Sequence, residues 1–332
     1  MNKTKVAING YGRIGRNLFR LLLDHAQIEV VAINDIADNR TMSHLTKYDS
    51  IHGVLNAEVS FDDDGIIVDG KHFAFLHERE VMNIDWKKYD IDVVIESTGK
   101  FKTFDEINQH ILSGAKKVIL SAPSETDRIK TVVLGVNEHI LDGSETIISN
   151  ASCTTNNAAP MIKIIDELCG IEQAYITTVH SYTTDQSLHD QPHKDLRRAR
   201  GASQSIVPTT TGAAKALTKI FPEMDGKIGG GGIRVPVPDG SLTDITCYVR
   251  KEVTIEQINE AFKNAASGKL KGILAYTEDP IVSVDILGNR NSCLFDAQLT
   301  SVIGKMVKVV GWYDNEIGYS ARLVDLISSI RK

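Results

Sequence analysis

The stretch Lys5-Val-Ala-Ile-Asn-Gly10-Tyr-Gly12-Arg-Ile-Gly15-Arg16 decides the fold of the first part of the chain. A short apolar run enters a glycine-rich turn, and apolar residues then recur at helical spacing, which predicts a strand, a turn and a helix. Glycine lets a backbone approach a ligand closely, and the amides at a helix start favour an anion. Glycine turns are common, so this pattern alone is weak evidence of a nucleotide site.

An acidic residue further along the chain strengthens this interpretation. A second apolar strand, predicted from Glu29 to Asn34, is followed by Asp35, twenty residues after Gly15. A carboxylate in that place can hold the hydroxyls of an adenosine ribose. It would repel a 2′-phosphate, so NAD is favoured over NADP as cofactor. The sequence therefore predicts a Rossmann-type doubly wound α/β domain that binds NAD.

More strands are predicted in the first half, and several end in Ser, Thr or Gly, as expected at the cofactor edge of such a sheet. They are the runs 92–99, 117–121, 131–135 and 146–149, with a helix at 105–112 and a small antiparallel excursion at 59–75.

The stretch Ser149 to Pro160 places Cys153 among small, hydroxylated residues, just before apolar residues recur at helical spacing. A buried structural role is the commoner explanation for a cysteine. Neighbours such as Ser152 and Thr154 are poor core residues and good ligand donors, so we predict a nucleophile in the first turn of a helix. The helix dipole should make this thiol ionise more readily than a free cysteine, whose pKa is about 8.5.

Candidate partners for Cys153 lie in the second half of the chain. A predicted strand from Gln173 ends at His180, and although strand-end histidines are usually structural, an imidazole near a thiol can act as a base. The long polar loop that follows contains Arg198, in a cluster typical of either a solvated face or a phosphate clamp. Arg234 stands alone in an apolar strand, where a carboxylate or a ligand phosphate should meet it.

The remaining pattern predicts an α+β domain with a large mixed or antiparallel sheet. Strands are expected at 242–249, 281–285 and 307–313, a helix at 254–266, and a closing helix from Ala321 onward.

Composition limits the classes of function. With 332 residues, of which 42% are hydrophobic, the chain can form about two domains. The net charge of -6 argues against nucleic-acid binding. No apolar run approaches the roughly 18 residues that span a bilayer, and the first residues leave no room for a signal peptide, so we expect no membrane partner and a cytoplasmic protein. The four cysteines lack metal-ligand spacing, and we expect no metal site.

Together these residues resemble the phosphorylating glyceraldehyde-3-phosphate dehydrogenases, essentially from end to end. The similarity is carried by the motifs at 9–16, 47–53, 149–156 and 312–316. It implies that Cys153 is the nucleophile and His180 the base. It implies NAD as cofactor, glyceraldehyde 3-phosphate and inorganic phosphate as substrates, and a homotetramer in which the loop 182–206 packs near a neighbour's cofactor.

The resemblance also implies a role for each matched site residue. The cofactor would contact Gly10, Gly12, Arg13, Ile14, Asp35, Arg79, Ser121 and Asn315. The phosphate of the substrate would contact Thr183, Asp185 and Arg234, and the inorganic phosphate Ser152, Thr154, Arg198, Thr211 and Gly212. We expect the NAD-binding domain at 1–151 with 316–332, and the catalytic domain at 152–315.

Two departures and three alternatives stay open. Asn157 stands where the family often has a second cysteine, which puts redox behaviour in doubt, and Gly231 lengthens a glycine run. The alternatives are an erythrose-4-phosphate dehydrogenase, a semialdehyde dehydrogenase acting on an amino-acid substrate, and a catalytically silent NAD-binding or moonlighting scaffold.

Overall fold

The computed structural model describes residues 3–330, which form two compact units. The first contains the residues up to 132, then 138–151 and those from 320 onward, and the second contains 133–137 and 152–319. The functional boundaries expected from the sequence, 1–151 with 316–332 and 152–315, stay a prediction.

The first unit is built on a nine-stranded sheet. Its strands lie in the order β10-β11-β9-β8-β1-β2-β7-β6-β5. Neighbours from β10 to β7 run parallel, whereas β5, β6 and β7 are antiparallel. The strands up to residue 151, including the separate pair β3 and β4, are β1 (Thr4–Asn9), β2 (Ile28–Asn34), β3 (Tyr48–Asp49), β4 (Gly53–Val54), β5 (Val59–Phe61), β6 (Gly65–Val68), β7 (Lys71–Leu76), β8 (Val93–Glu96), β9 (Lys117–Leu120), β10 (Lys130–Thr131) and β11 (Ile147–Ser149).

The helices of this part are α1 (Arg13–Leu22), α2 (Asn39–Lys47) and α3 (Phe104–Leu112). Apolar residues of α1, such as Leu18 and Phe19, are fully buried, as is Ile8 of β1. The parallel strands are apolar on both faces because helices cover them. The predicted doubly wound α/β fold is confirmed.

The second unit is built on a mixed eight-stranded sheet in the order β13-β14-β12-β15-β19-β17-β16, with β18 paired to β19. Its strands are β12 (Ile171–Ser181), β13 (Val207–Thr209), β14 (Ile228–Val235), β15 (Ser241–Val249), β16 (Leu274–Thr277), β17 (Cys293–Asp296), β18 (Ser301–Ile303) and β19 (Met306–Tyr313). The remaining helices of the chain are α4 (Cys153–Cys169), α5 (Ala213–Ile220), α6 (Ile255–Ser267) and α7 (Ile317–Ser329).

Two predicted strands are wrong or shortened. The run 281–285 is not a strand, because a 3₁₀ helix occupies Ser283–Ile286 and the Asp285 carboxylate accepts a hydrogen bond from the Val282 amide. The run 131–135 keeps only β10, since Val136 donates to the carbonyl of Val133 in a turn. In both places local turn bonds replace a sheet ladder that the apolar pattern alone would favour.

Candidate active site

The glycine turn of the first unit forms a cleft at the carboxyl ends of β1 and β2. The cleft has a volume of about 240 Å³, and its lining includes Gly10, Gly12, Asp35 and Arg79. At the third glycine, Gly15, a Cβ atom would lie 2.2 Å from the Gly10 carbonyl oxygen, so only glycine lets α1 pack this closely on the turn. At Gly12 a Cβ would meet nothing within 4 Å, which leaves that position open toward a ligand.

The donors around this cleft fit a dinucleotide. Helix α1 begins after Gly12 without a side-chain cap or an acidic residue in its first turn. The amides of Arg13 and Ile14 therefore open the helix, where an anion is stabilised. The Asp35 carboxylate is held by the amides of Tyr11 and Ala37, at 2.8 and 3.1 Å, and both oxygens keep a lone pair for a hydroxyl donor.

Two predicted cofactor residues contact the protein in ways that limit their roles. The Arg13 guanidinium forms a two-point ion pair with Asp49, which holds the pKa of that carboxyl well below its usual range. The charge of Arg13 is thus already paired within the protein. Ser121 directly follows β9, and its own amide donates to the Glu96 carbonyl.

A buried carboxylate supports the turn from below. Glu96 is 1% exposed and accepts hydrogen bonds from Asn9 Nδ2, the Thr98 amide and His110 Nε2. Trp86 Nε1 donates to His110 Nδ1, so the ring proton lies on Nε2, facing Glu96. Because its oxygens accept these hydrogen bonds, the buried Glu96 side chain fixes Asn9 and Thr98, which both line the cleft.

In the second unit, Cys153 is the first residue of α4. Ser152 caps the helix, and its Oγ accepts from the Thr155 amide at 3.1 Å. Cys153 is half-buried, whereas Cys169, Cys247 and Cys293 are buried. The structure confirms the prediction that this thiol lies in the first turn of a helix.

His180 and Cys153 are brought together, which sequence spacing could not establish. Their Sγ and Nε2 atoms lie 3.5 Å apart. His180 Nδ1 lies 2.8 Å from the Ser181 carbonyl and 3.1 Å from Arg234 Nη1. In the tautomer in which Nδ1 donates to the nearer carbonyl, the lone pair of Nε2 faces the thiol. This is the geometry of a nucleophile beside a general base.

The expected low pKa of the Cys153 thiol is wrong for the ligand-free chain. Burial raises its pKa, and this outweighs the opposing effects of Arg234 and of the Thr154 amide and hydroxyl. Burial, with Arg234 and Arg198 nearby, also lowers the pKa of His180 to about 3. The helix start does favour the thiolate, but the loss of water around the thiol opposes this and has the larger effect.

Arg234 lies beside His180 because the parallel strands β12 and β14 pair these two residues directly. Its Nη1 atom donates to the Ser181 carbonyl at 2.9 Å and to Thr183 Oγ1 at 3.3 Å. Within residues 3–330 no carboxylate forms an ion pair with it. Of the two partners expected for Arg234, a carboxylate is therefore not found among the described residues, and an anionic ligand is the remaining candidate.

Arg198 is held differently. It donates to the carboxylate of Asp185, to Thr209 Oγ1 at 2.8 Å and to the Thr210 carbonyl at 3.2 Å. Asp185 also contacts His193. An anion such as Asp185 does not itself bind phosphate, so it acts by orienting Arg198.

The start of α5 lies next to this arginine. Thr211 Oγ1 accepts from the Ala213 amide at 3.2 Å, and Gly212 precedes the first helical residue without a side-chain cap. Donors suited to an anion therefore lie on both sides of Arg198.

Comparison with known proteins decides the family. Two family models match: "Glyceraldehyde 3-phosphate dehydrogenase, C-terminal domain" over residues 152–315, and "Glyceraldehyde 3-phosphate dehydrogenase, NAD binding domain" over residues 4–104. The chain belongs to the glyceraldehyde-3-phosphate dehydrogenase family.

Individual relatives of the family are similar over almost their whole length. The chain is 55% identical over 326 residues to a glyceraldehyde-3-phosphate dehydrogenase of Streptomyces coelicolor, covering 97% of each chain. It is 53% identical over 328 residues to that of Geobacillus stearothermophilus, covering 98% of each. It is 51% identical over 325 residues to glyceraldehyde-3-phosphate dehydrogenase 1 of Bacillus cereus, covering 97% of each.

Tyr313 is a site residue that the sequence reasoning missed. Its hydroxyl lies 3.0 Å from Thr154 Oγ1 and 2.9 Å from Thr178 Oγ1, and its ring packs edge-on against His180. The available signal was the alternation of β12, which puts Thr178 and His180 on one face. Tyr313 thereby braces both the helix start and the imidazole.

The departure from the family pattern at Asn157 is structural. Asn157 is fully buried, and its Nδ2 donates to the carbonyls of Ser292 and Trp312, each at 3.2 Å. It ties α4 to the strands beneath.

Among residues 3–330, no helix is long and apolar enough to cross a bilayer.

Proposed function

We propose that the chain catalyses the NAD-dependent oxidative phosphorylation of glyceraldehyde 3-phosphate to 1,3-bisphosphoglycerate, as in glycolysis and gluconeogenesis, through a thioester on Cys153. The observation that carries this proposal is the Cys153 thiol 3.5 Å from His180 Nε2 at a helix start. Burial, with Arg234 and Arg198 nearby, lowers the pKa of the imidazole. Membership of the family supports the same reaction.

NAD is the cofactor, and when bound it accepts a hydride. The amides at the start of α1 suit its pyrophosphate, and Asp35 suits its adenosine ribose. Arg79 borders the same cleft, while Ser121 and Asn315 complete the proposed cofactor set. In this proposal the first unit binds the cofactor and the second carries the chemistry.

The acylation step begins with the Cys153 thiol beside the His180 imidazole. As sulfur attacks the aldehyde carbon, the thiol proton passes to His180 Nε2 and returns to the substrate oxygen, which gives a neutral hemithioacetal. The Cys153 amide at the start of α4 can donate to the oxygen while it carries charge. His180 then removes the hydroxyl proton as the substrate carbon loses its hydride, and the thioester remains on Cys153.

Phosphorolysis completes the cycle. An oxygen of inorganic phosphate attacks the thioester carbon, the carbon–sulfur bond breaks, and the acyl phosphate leaves. The thiolate regains its proton from the imidazolium, which restores the resting pair. A thioester retains enough free energy to form an acyl phosphate, whereas an ordinary ester does not.

We assign the two anion sites by their contacts. Arg234 with Thr183 would bind the phosphate of the aldehyde. Asp185, which the family resemblance assigns to the same site, instead holds Arg198 of the second site. Arg198, Ser152, Thr154, Thr211 and Gly212 would bind the attacking inorganic phosphate. The distinct partners of the two arginines support this division of roles.

The decisive experiment mixes the protein with NAD and glyceraldehyde 3-phosphate in the absence of phosphate. We expect a burst of about one NADH per Cys153, followed by turnover when phosphate is added. A silent NAD-binding scaffold would give no burst, and higher efficiency with erythrose 4-phosphate would favour that alternative substrate. Cys153→Ala should abolish the burst while NAD still binds.

Two further parts of the proposal concern the protein as a whole. The family resemblance supports a homotetramer in a cytoplasmic location. Light scattering should give a mass of about four times the 36.5 kDa of one chain. A monomeric mass at micromolar concentration would contradict the tetramer.

A further inference from the structure

Three polar atoms meet on one side of the His180 ring, and each lies within hydrogen-bonding distance of the other two. His180 Nδ1 is 2.8 Å from the Ser181 carbonyl oxygen and 3.1 Å from Arg234 Nη1. Arg234 Nη1 is itself 2.9 Å from the same carbonyl oxygen. The parallel pairing of β12 with β14 builds this triangle, because it sets His180 directly beside Arg234. On the other side of the ring, Nε2 faces the Cys153 thiol.

The three contacts of this triangle cannot all be favourable at once. A guanidinium nitrogen only donates, a carbonyl oxygen only accepts, and Nδ1 of a neutral imidazole does one or the other. If Nδ1 carries the ring proton, it donates to the Ser181 carbonyl but meets a second donor in Arg234. If Nδ1 carries a lone pair, it accepts from Arg234 but meets a second acceptor in that carbonyl. One contact is therefore unfavourable in either tautomer.

The two tautomers differ in what they offer to the thiol. A neutral ring holds one proton, so a lone pair on Nδ1 means an N–H group at Nε2, and that group cannot take the proton of Cys153. The contact between Nδ1 and Arg234 favours this form. With the proton on Nδ1, the lone pair lies on Nε2, which is 3.5 Å from the Cys153 Sγ atom, and the imidazole can act as a base.

The guanidinium of Arg234 is also suited to an anion. Within the part of the chain described here, all its hydrogen bonds leave from Nη1, the third of them to Thr183 Oγ1 at 3.3 Å. Nη2 and Nε therefore keep their N–H groups for a ligand. A phosphate offers a guanidinium two oxygens and a negative charge, and such bonds are stronger than bonds to a neutral carbonyl or hydroxyl. A bound phosphate would thus compete with Nδ1 for the guanidinium.

We infer that Arg234 switches the tautomer of the catalytic base: without a phosphate its N–H group favours a lone pair on His180 Nδ1, and a bound phosphate draws the guanidinium away and places the ring proton there. The switch moves one proton from Nε2 to Nδ1 by exchange with solvent and leaves the ring neutral. It couples recognition of the substrate's phosphate to the reactivity of Cys153. This inference rests on the proposed function, in which Arg234 binds that phosphate and His180 is the base.

A kinetic test separates the phosphate from the aldehyde. Glyceraldehyde, which lacks the phosphate, is mixed with the protein and NAD, and the rate constant of the single-turnover NADH burst is measured with and without phosphite, a small tetrahedral anion. We expect saturating phosphite to raise this rate constant at least about tenfold, the equivalent of about one hydrogen bond. An unchanged rate constant at concentrations that saturate phosphite binding in calorimetry would overturn the inference.

The variant Arg234→Leu should have opposite effects on the two substrates. It removes the competing donor at Nδ1, so the burst with glyceraldehyde alone should be about threefold or more faster than in the unmodified protein. Phosphite should no longer change it. The burst with glyceraldehyde 3-phosphate should be at least about tenfold slower, because the phosphate loses its guanidinium. A role confined to phosphate binding predicts no gain with glyceraldehyde, and that result would contradict the switch.

The matched control is Arg197→Leu, which removes an exposed arginine from the loop between β12 and β13. It should leave the three rate constants and the response to phosphite as they are in the unmodified protein. If it reproduced the gain with glyceraldehyde, the gain would reflect the loss of a positive charge in general, and the role of Arg234 would be wrong.

Nitrogen NMR measures the tautomer directly and does not depend on a variant that folds. The protein is labelled with ¹⁵N in its ten histidines, and the His180 signals are identified by their absence from His180→Gln. Addition of phosphite should move the proton from Nε2 to Nδ1 of His180. In Arg234→Leu the proton should lie on Nδ1 without phosphite. A proton on the same nitrogen with and without bound phosphite would overturn the inference.

Failure of the inference and failure of the proposed function give different results. If glyceraldehyde 3-phosphate gave no NADH burst, the proposed function would be wrong, and the NMR measurement would still decide whether the switch exists. A normal burst together with an unchanged tautomer would leave the function standing and reject the switch. If activation by phosphite were lost in Arg198→Ala but kept in Arg234→Leu, the anion would act at the second site, and the switch would again be wrong.

Discussion

At the level of single residues, the four cysteines differ in accessibility. Burial raises the pKa of all four thiols, to about 11 for Cys169 and about 12 for Cys247. Only Cys153 is half-buried and lies beside a base. Thiolate character alone therefore does not distinguish the nucleophile, whereas exposure and the His180 contact do.

We expect iodoacetamide to alkylate Cys153 first, because the reagent can reach it and His180 can accept its proton. Mass spectrometry after brief exposure at pH 7 should find the label there, and His180→Ala should slow the labelling. Cys169→Ser is the matched control and should leave the rate unchanged. Early labelling of Cys169, Cys247 or Cys293 would contradict the prediction.

The buried carboxyl group of Asp239 makes the stability of the folded chain depend on pH. It is 1% exposed, and burial together with Asp314 and Glu316 raises its pKa to about 9. The folded chain thus keeps a proton that the unfolded chain releases above about pH 4. The contribution of Asp239 to the free energy of unfolding is therefore fully present below about pH 4. It is lost as the pH rises toward 9, by up to about 1.4 kcal/mol per pH unit.

We predict that Asp239→Asn removes this loss, because an amide keeps both an acceptor oxygen and a donor without titrating. Urea unfolding at pH 6 and pH 8.5 should show a smaller fall in the free energy of unfolding than in the unmodified protein. The exposed Asp63→Asn serves as control and should not alter the fall. If the pH dependence were the same in Asp239→Asn as in the unmodified protein, a group other than Asp239 would be responsible for the fall in stability.

At the level of elements, the glycines of the turn before α1 differ in how closely other atoms surround them. A Cβ at Gly15 would overlap the Gly10 carbonyl, but a Cβ at Gly12 would point into open space. Gly15→Ala should therefore lower the free energy of unfolding by about 1–3 kcal/mol, as overpacking does. Gly12→Ala should leave stability nearly unchanged and weaken NAD binding, because its methyl group would enter the cleft. Urea unfolding and NAD titration of the pair test this, and equal destabilisation would contradict it.

The two anion sites are supplied by different elements, β14 for Arg234 and the loop before β13 for Arg198. Arg234→Ala should slow acylation, because the remote phosphate aligns the carbonyl for attack. Arg198→Ala should leave the NADH burst largely intact and slow steady-state turnover about tenfold or more. Single-turnover and steady-state kinetics separate the two effects. An equal loss of acylation in both variants would show that the sites are not divided in this way.

At the level of the whole molecule, cofactor choice should be visible as stability. A ligand at one hundred times its dissociation constant stabilises the folded chain by about 2.7 kcal/mol. NAD should therefore raise the midpoint of thermal unfolding, and NADP at the same concentration should raise it much less, since Asp35 would repel its 2′-phosphate. Asp35→Gly should narrow the difference between the midpoint shifts caused by NAD and NADP. The variant leaves the other residues of the cleft, such as Gly12 and Arg79, unchanged. Equal shifts with both dinucleotides in the unmodified protein would contradict the role of Asp35.

The sequence by itself determined the doubly wound first part, the position of Cys153 at a helix start and the position of Asp35 directly after the second strand. These features depend on local patterns, because a glycine turn, a helix cap and apolar periodicity act within a few residues of one another. The family resemblance supplied candidates for the remaining site residues, whose roles stay predictions. Local patterning failed where short turn bonds replaced a strand at 281–285.

Only the tertiary structure decided the electrostatics and the long-range contacts of the site. Strand pairing places Arg234 beside His180, and packing brings Tyr313 to Thr154, across sequence separations that no local pattern encodes. The raised pKa of Cys153 was also decided there, because a thiol's charge depends on how much water the surrounding fold removes as well as on the helix that carries it.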